Sequence, residues 1–212
     1  MTGEFTTPKA LADSVANAVE ALQVAQDRHL VAIAGPPGSG KTTVASLATV
    51  ELNRRGVPTG LVSMDGFHYD NTILVARNLM SRKGSPETFD LAGFHALLDR
   101  LRRDGDVAVP EFDRQLDLAI AARSMITPDQ RCVLVEGNYL LLNEPGWSGL
   151  HRLWALKVFL GVDLATLESR LTDRWIGYGL DGKAARERVL SNDLPNAKRV
   201  IRNSVSGDLI LA

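Results

Sequence analysis

The sequence predicts an α/β fold, a three-layer α/β/α sandwich in which helices cover both faces of a mostly parallel five-stranded sheet. Short, almost wholly apolar segments recur along the chain and alternate with segments whose apolar residues repeat at helical spacing. The first apolar segment leads into a glycine-rich turn and then directly into a helical pattern. This order of strand, turn and helix indicates a sheet built from β-α-β units.

The predicted elements alternate in type along the chain. Apolar runs predict five sheet strands, at residues 30–34, 59–64, 131–136, 156–160 and 209–211. Helical spacing is seen over residues 8–26, 43–52, 91–103, 164–175, 181–191 and 193–203. Two short extended segments, 107–110 and 123–126, indicate a small excursion near residues 105–127. Residues 1–212 are therefore expected to form a single domain with this excursion and a helical lid near 174–192.

Composition excludes several classes of protein. The 212 residues carry a formal net charge of −1, which argues against a nucleic acid as the main partner. No apolar run has the length of a membrane span, and the N-terminus lacks the pattern of a signal peptide. The single cysteine, Cys132, lies in an apolar run and is expected to be a buried thiol. We therefore expect a cytoplasmic protein.

The turn after the first strand is a complete phosphate-binding P-loop, Gly35-Pro36-Pro37-Gly38-Ser39-Gly40-Lys41-Thr42. Its glycines allow backbone N–H groups to surround phosphates at a helix N-terminus. Lys41 is expected to reach the β- and γ-phosphates of a nucleoside triphosphate, and the Thr42 hydroxyl is expected to bind Mg²⁺. The expected nucleotide-binding residues here are Gly35, Pro36, Gly38, Ser39, Gly40, Lys41, Thr42 and Thr43.

Acidic residues follow two other predicted strands. Asp65 ends the second strand and Glu136 ends the third, so both are expected at the same edge of the sheet as the P-loop. There Asp65 is suited to accept a proton from a substrate hydroxyl, and Glu136 to hold Mg²⁺ and contact substrate. Each acid is also compatible with an ordinary turn, because Asp-Gly and Gly-Asn follow the two strands.

Further candidate residues lie in the lid and in the loops. Arg170 and Arg174 share one helical face, and glycines follow them, as in a lid that brings arginines to phosphates. A solvated helix with ion pairs is the alternative. The candidate substrate residues His68, Arg82, Phe112 and Asp113, and Lys83 beside Arg82, are equally compatible with surface or loop positions.

Several segments together resemble the uridine kinase, phosphoribulokinase and bacterial pantothenate kinase group, over residues 28–212. These are the P-loop, Met64-Asp65-Gly66-Phe67-His68, residues 82–90 with the sequence Arg-Lys-Gly-Ser-Pro-Glu-Thr-Phe-Asp, and Val135-Glu136-Gly137-Asn138-Tyr139. The combination of Asp-Gly-Phe with residues 82–90 is far more specific than the P-loop. Residues 191–197, Ser-Asn-Asp-Leu-Pro-Asn-Ala, are similar to a bacterial subgroup called fructokinase or fructose transport system kinase.

The resemblance implies a P-loop NTPase fold and an ATP- and Mg²⁺-dependent kinase that phosphorylates a hydroxyl group of a small metabolite. It implies that Asp65 is the catalytic base, that Glu136 is the acid of the third strand, and that Arg170 and Arg174 are lid arginines. It further implies that Asn192, Asp193 and Asn196 lie near the nucleotide base.

The acceptor remains open among three compounds, with a sugar such as fructose first, a nucleoside such as uridine second and pantothenate third. A regulatory P-loop ATPase without a small-molecule acceptor and a nucleotide phosphotransferase are the rival classes. The apolar residues Trp147, Leu150, Leu153 and Trp154 fit either a homodimer interface or the core.

Overall fold

The computed structural model of the protein describes residues 7–22, 28–103 and 105–212. Its helices are α1 (Pro8–Ala21), α2 (Lys41–Arg54), α3 (Asn71–Ala76), α4 (Leu91–Arg103), α5 (Leu164–Gly177), α6 (Gly182–Arg188) and α7 (Leu194–Asn203). Its strands are β1 (His29–Ala34), β2 (Thr59–Ser63), β3 (Val107–Asp113), β4 (Leu118–Ile126), β5 (Cys132–Gly137), β6 (Trp154–Leu160) and β7 (Leu209–Leu211).

The main sheet has five strands in the order β2-β5-β1-β6-β7, and every neighbouring pair is parallel. β3 and β4 form a separate antiparallel hairpin. The predicted α/β class with a five-stranded sheet is confirmed, and all five sheet strands lie where the apolar runs predict them. The carboxyl ends of β1, β2 and β5 lie side by side, so the segments that follow these strands share one edge of the sheet.

Alternate residues of the strands face two separate cores. On β1, Val31 and Ile33 pack with α1 and α2, whereas Leu30 and Ala32 pack with α4 and the hairpin. Both faces are covered, which explains why β1 and β5 read as continuous apolar runs rather than as alternating patterns. The Cys132 thiol belongs to the first of these cores, and burial raises its pKa to about 11, so it is not a reactive group.

The helices differ from the sequence prediction in three places. α1 ends at Ala21, and residues 23–26 of the predicted helix lie outside the described residues. The two helices predicted over 181–191 and 193–203 are joined by a π-helical turn, Val189–Asp193, so the chain stays helical from α6 into α7. Residues 66–90, over which the sequence shows no helical spacing, contain α3 and short 3-10 turns.

The cluster Trp147, Leu150, Leu153 and Trp154 belongs to the core of the chain. None of the four is more than 7% exposed, and they pack with residues of α4 and of β5. Trp154 Nε1 also donates a hydrogen bond to the Leu140 carbonyl oxygen (3.2 Å). The cluster therefore gives no reason to expect a homodimer interface at this place.

Arg28, directly before β1, is hydrogen-bonded to four carbonyl oxygens in three other backbone segments. Its guanidinium, in a residue that is 9% exposed, donates to backbone carbonyl oxygens at the end of α4, at the start of the hairpin and in the turn that leads into β5. The acceptors are Leu101 (2.8 Å), Gly105 (3.1 Å), Thr127 (2.8 Å) and Gln130 (3.0 Å). The hairpin is thus fixed to the sheet at its base.

No helix among the described residues is long and apolar enough to cross a membrane.

Candidate active site

A cleft of about 910 Å³ opens at the carboxyl ends of β1 and β2. The P-loop forms one wall, the hairpin and the segment after β2 form another, and α5 to α7 close the third side. Of the residues predicted for the site, the following line this cleft: Gly38, Gly40, Lys41, Thr42, Thr43, Asp65, His68, Phe112, Arg170, Arg174 and Asn196. Segments that are distant in sequence therefore converge on one site.

The P-loop has the backbone geometry that its glycines allow. Gly38 and Gly40 have φ angles of 83° and 88°, in the left-handed region that disfavours side chains. A Cβ atom on Gly35 would lie 2.8 Å from the Leu160 carbonyl oxygen and 2.8 Å from Ser39 Oγ. Gly35, Pro36 and Ser39 are buried supports of the loop and do not line the cleft. Because α2 begins at Lys41, its N-terminal N–H groups point into the cleft where phosphates bind.

A buried polar cluster lies beneath the loop. Glu136 is 2% exposed; its Oε2 accepts from Thr42 Oγ1 (3.2 Å), and its Oε1 accepts from Ser63 Oγ. Burial raises the pKa of Glu136, and the Asp65 carboxylate adds to this effect while Lys41 opposes it. Burial lowers the pKa of Lys41, against the attraction of Glu136 and Asp65. A bound cation would therefore stabilise the charged form of Glu136, and a bound phosphate would stabilise the charged form of Lys41.

The oxygen atoms of this cluster suit Mg²⁺. A threonine hydroxyl and one carboxylate are hard ligands, and Mg²⁺ is commonly held by few protein oxygens together with substrate phosphates. Among residues 7–22, 28–103 and 105–212, no group of three or more His, Cys, Asp or Glu side chains is placed to hold a metal ion. The residues present fit a metal that arrives with the nucleotide rather than one held in a protein cage.

Asp65 lies in a 3-10 turn (Met64–Phe67) directly after β2. Ser63 caps this turn, because its Oγ accepts from the Asp65 backbone N–H (3.2 Å). The hairpin packs tightly against the same turn, since a Cβ atom on Gly66 would lie 2.6 Å from the Pro110 carbonyl oxygen. Asp65 thus has a fixed position in the turn, and the absence of a side chain at Gly66 allows the hairpin to pack against it.

His68 lies between two aromatic rings at the same turn. Its ring centroid is 4.0 Å from that of Phe89 and 4.8 Å from that of Phe112. Its Nδ1 is 2.9 Å from the Asp65 carbonyl oxygen, which can only accept, so Nδ1 carries the proton. Burial lowers the pKa of His68 although Asp65 opposes the effect. In the neutral ring, Nε2 is then an acceptor for a hydroxyl group.

The lowered pKa of His68 makes stability depend on pH. Below the ordinary pKa of about 6.5 the unfolded chain binds a proton at His68 that the folded chain does not, so this contribution is present above pH 6.5 and is lost as the pH falls. Between pH 7 and pH 5 the free energy of unfolding should fall less steeply in His68→Gln than in the parent protein. The two slopes should differ by up to about 1.4 kcal/mol per pH unit. Urea unfolding followed by tryptophan fluorescence measures both slopes. Equal slopes would show that folded His68 titrates normally.

Two predicted lid arginines enter the cleft from α5. Arg170 Nη1 lies 3.5 Å from the Gly38 carbonyl oxygen, which brings this side chain beside the P-loop. Arg174 Nη2 is 3.7 Å from Asp193 Oδ1, and its Nε is buried without a protein partner. Both arginines therefore lie where nucleotide phosphates are expected, although Arg174 is held by an acid of the π-helical turn.

The two asparagines predicted near the nucleotide base differ in position. Asn192 is 1% exposed and does not line the cleft; its Nδ2 donates to the Lys83 carbonyl oxygen (2.9 Å). Asn196 lines the cleft, and its buried Oδ1 has no protein donor. The π-helical turn alters the spacing of side chains around the helix, so only Asn196 is placed to contact a ligand directly.

Two predicted substrate residues lie elsewhere. The side chain of Arg82 is exposed and does not line the cleft, whereas its neighbour Lys83 does. Asp113 accepts from the backbone N–H groups of Gln115 (2.9 Å) and Leu116 (3.0 Å), so it shapes the turn of the hairpin. It borders a smaller cavity on the outer side of the hairpin. Neither of these two side chains lines the cleft, so the structure does not bring them together with the other predicted site residues.

The structure adds cleft residues that the sequence pattern did not single out. They come from the hairpin turn, from the segment after β5 and from the helices on the third side: Arg114, Asp117, Asn138, Trp175, Tyr178 and Arg188. Trp175 stands under two arginines, with Arg174 Cζ at 5.9 Å and Arg188 Cζ at 5.3 Å from its ring centroid. Arg114 follows directly after the predicted Phe112 and Asp113, which was the one available signal for it.

A P-loop on a parallel α/β sheet, with an acid at the carboxyl end of each of two neighbouring strands, defines a nucleotide-binding protein of the P-loop class. The sequence pattern of the Phosphoribulokinase / Uridine kinase family matches residues 30–173. The chain belongs to this family, whose members are small-molecule kinases that use ATP. The predicted resemblance is thereby confirmed.

Three similar proteins illustrate the relationship. A crystal structure named as a putative fructose transport system kinase from Silicibacter sp. TM1040 is 42% identical, covers 97% of this chain and 99% of its own, and has a TM-score of 0.90. The Escherichia coli protein YggC is 35% identical over 192 residues, 88% of this chain and 78% of its own. A Schizosaccharomyces pombe protein named as a putative uridine kinase is 31% identical over 209 residues, 94% of this chain and 89% of its own.

Proposed function

We propose that the protein transfers the γ-phosphoryl group of ATP to a hydroxyl group of a small metabolite. The observation that carries this proposal is the Asp65 carboxylate, which lines the same cleft as the P-loop and is close enough to act on Lys41. A hydrolytic switch needs no proton acceptor beside a pocket of this size, whereas a kinase of hydroxyl compounds does.

In the proposed reaction, Asp65 accepts the proton of the acceptor hydroxyl. The hydroxyl oxygen forms a bond to the γ-phosphorus while the bond from that phosphorus to the β–γ bridging oxygen breaks, and ADP leaves. Lys41, Arg170 and Arg174 balance the charge on the moving phosphoryl group. Thr42 and Glu136 would hold Mg²⁺, which neutralises phosphate charge when it is bound. The Nε2 of His68 orients the acceptor by accepting from a second hydroxyl.

The acceptor is proposed to be a sugar, with fructose first, because the similar Silicibacter protein carries the name of a fructose transport system kinase. A nucleoside is next, since the similar fission yeast protein is named as a uridine kinase. Pantothenate is third. The base-binding side of the cleft is proposed to include Asn196, and the segment with Arg170 and Arg174 is proposed to close as a lid.

The experiment is ADP release from Mg·ATP against a panel of acceptors: fructose and other sugars, ribonucleosides, pantothenate and glycerate. We expect ADP release to depend strongly on one acceptor and to be lost in Lys41→Met, which removes the cation that reaches the phosphates. ATP hydrolysis that no acceptor accelerates, and that stays equal with and without the panel, would contradict the kinase and favour a regulatory ATPase.

A further inference from the structure

Arg114 occupies the acceptor side of the cleft. It lies in the turn after β3, and its Nη2 is 3.3 Å from Asp65 Oδ2. Its side chain is 48% exposed, so the guanidinium is in contact with both the acid and the space of the cleft. A ligand whose hydroxyl approaches Asp65 therefore meets Arg114 within a few bonds of the reacting oxygen.

The other basic groups of the cleft have different surroundings. Lys83 Nζ is held by Asp117 Oδ1 (2.8 Å) and Asn71 Oδ1 (2.7 Å). Arg188 donates to the Ser81 carbonyl oxygen (3.0 Å) and stacks on Trp175. The protein partners of these two cations do not include Asp65, and Lys41, Arg170 and Arg174 are placed where the phosphates of ATP are expected. Arg114 is the basic group that is paired with Asp65.

Arg114 is also not needed to hold the hairpin in place. The turn is fixed by Asp117, whose Oδ2 accepts from Asn71 Nδ2 (3.1 Å) and whose carbonyl oxygen accepts from Lys83 Nζ (2.8 Å). In addition, the Pro110 carbonyl group of β3 packs against Gly66. The position of Arg114 is thus available for a ligand without a cost to the fold.

The donor capacity of Arg114 exceeds what Asp65 uses. A guanidinium has five N–H donors in a planar fork; the contact with Asp65 joins one nitrogen to one oxygen, and the Tyr178 side chain is a second partner, so donors are still left over. A neutral acceptor that entered here would displace water from the remaining N–H donors and would not restore all of the hydrogen bonds that the water made. A carboxylate or phosphate pairs with the fork through two parallel hydrogen bonds.

We propose that Arg114 binds an anionic group of the acceptor, so that the acceptor is a hydroxyl compound that also carries a carboxylate or a phosphate. A hydroxy acid, a sugar acid and a sugar phosphate meet this requirement, whereas a free sugar and a free nucleoside do not. This inference rests on the proposed kinase function and changes its order of acceptors, because free fructose and uridine, which the names of the relatives favour, lack the anionic group. It assigns to Arg114 the choice between charged and neutral acceptors.

The test compares acceptors in matched pairs that differ in one anionic group. The pairs are glycerate and glycerol, pantothenate and pantothenol, and fructose 6-phosphate and fructose. Carboxylates and phosphates stand in different pairs, so the result identifies which anion is bound. We expect kcat/KM for the charged member of the productive pair to exceed that of its neutral partner at least tenfold, because hydrogen bonds to charged groups contribute about 1.5–3 kcal/mol.

The matched variants are Arg114→Gln, Arg114→Lys and Arg123→Gln. Arg123 is an exposed arginine on β4 of the same hairpin and does not line the cleft. Arg114→Gln should lower kcat/KM for the charged acceptor by about 10- to 100-fold, mainly through KM, while the KM for ATP stays within about twofold. Arg114→Lys should recover part of this loss because it keeps the charge but not the fork. Arg123→Gln should match the parent protein.

The outcomes separate the inference from the proposed function. Turnover of a neutral acceptor that equals or exceeds turnover of its charged partner would leave the kinase standing and overturn the role of Arg114. A rise in the KM for ATP in Arg114→Gln, of equal size with every acceptor, would assign Arg114 to the γ-phosphate and overturn the inference as well. ADP release that no member of the panel accelerates would count against both.

Discussion

Replacing Asp65 with asparagine should lower kcat by about two orders of magnitude or more and leave the affinity for ATP nearly unchanged. The amide keeps the shape of the side chain but cannot accept the hydroxyl proton. ATP binding should survive because the contacts expected for its phosphates come from the P-loop and α5. Steady-state ADP release with the productive acceptor gives kcat, and fluorescence titration with an ATP analogue gives the affinity.

Asp99→Asn is the matched control for this experiment. Asp99 is an acid on α4 whose side chain is 45% exposed and pairs with Arg103 at the surface. The same chemical change there should leave kcat within the error of the measurement. Full turnover by Asp65→Asn would show that another group accepts the proton, and the assignment of the catalytic base would be wrong.

Replacing Arg28 with methionine should lower the free energy of unfolding by about 3 kcal/mol or more. Methionine fills much of the volume but leaves the carbonyl oxygens of Leu101, Gly105, Thr127 and Gln130 without the guanidinium that they share. Buried acceptors that lose a charged donor lose more than the net value of an ordinary hydrogen bond. Urea denaturation followed by circular dichroism measures the change.

Arg103→Met provides the comparison for Arg28. Arg103 lies on α4 with 74% of its side chain exposed, and its contacts are with Asp99 on the same helix. Its replacement should change the free energy of unfolding by no more than about 0.5 kcal/mol. A loss below about 1 kcal/mol in Arg28→Met would mean that water replaces the guanidinium at the four carbonyl groups.

The centre of the sheet could be predicted from the sequence because β1 and β5 are buried on both sides. Such strands are continuous apolar runs, and the P-loop identified β1 and α2 independently. The acids after β2 and β5 could be predicted for the same reason, since parallel strands bring their carboxyl ends to one edge. The position of a residue at the carboxyl edge of the sheet depends on the backbone alone, and the sequence pattern predicts the course of the backbone there.

Side-chain direction in the loops could not be predicted in this way. Arg82 and Lys83 are adjacent and chemically alike, yet only Lys83 lines the cleft, because the backbone changes direction at a 3-10 turn. The separation of Asn192 from Asn196 depends on a π-helical turn, for which helical spacing gives no signal. Apolar residues such as Trp147 look the same in a core and in an interface, and only the packing distinguishes them.

The strand order has a consequence for synthesis on the ribosome. β1, which carries the P-loop, pairs with β5 on one side and β6 on the other, so Ile33 lies opposite Glu136 and Val158. β2 pairs with β5 and not with β1. The emerging chain therefore holds an apolar strand without either of its partners until about two thirds of it has been made. Contacts between such distant segments slow folding and leave strand edges open to other chains. A nascent chain that is arrested before β5 should accordingly be a substrate for chaperones rather than a binder of ATP.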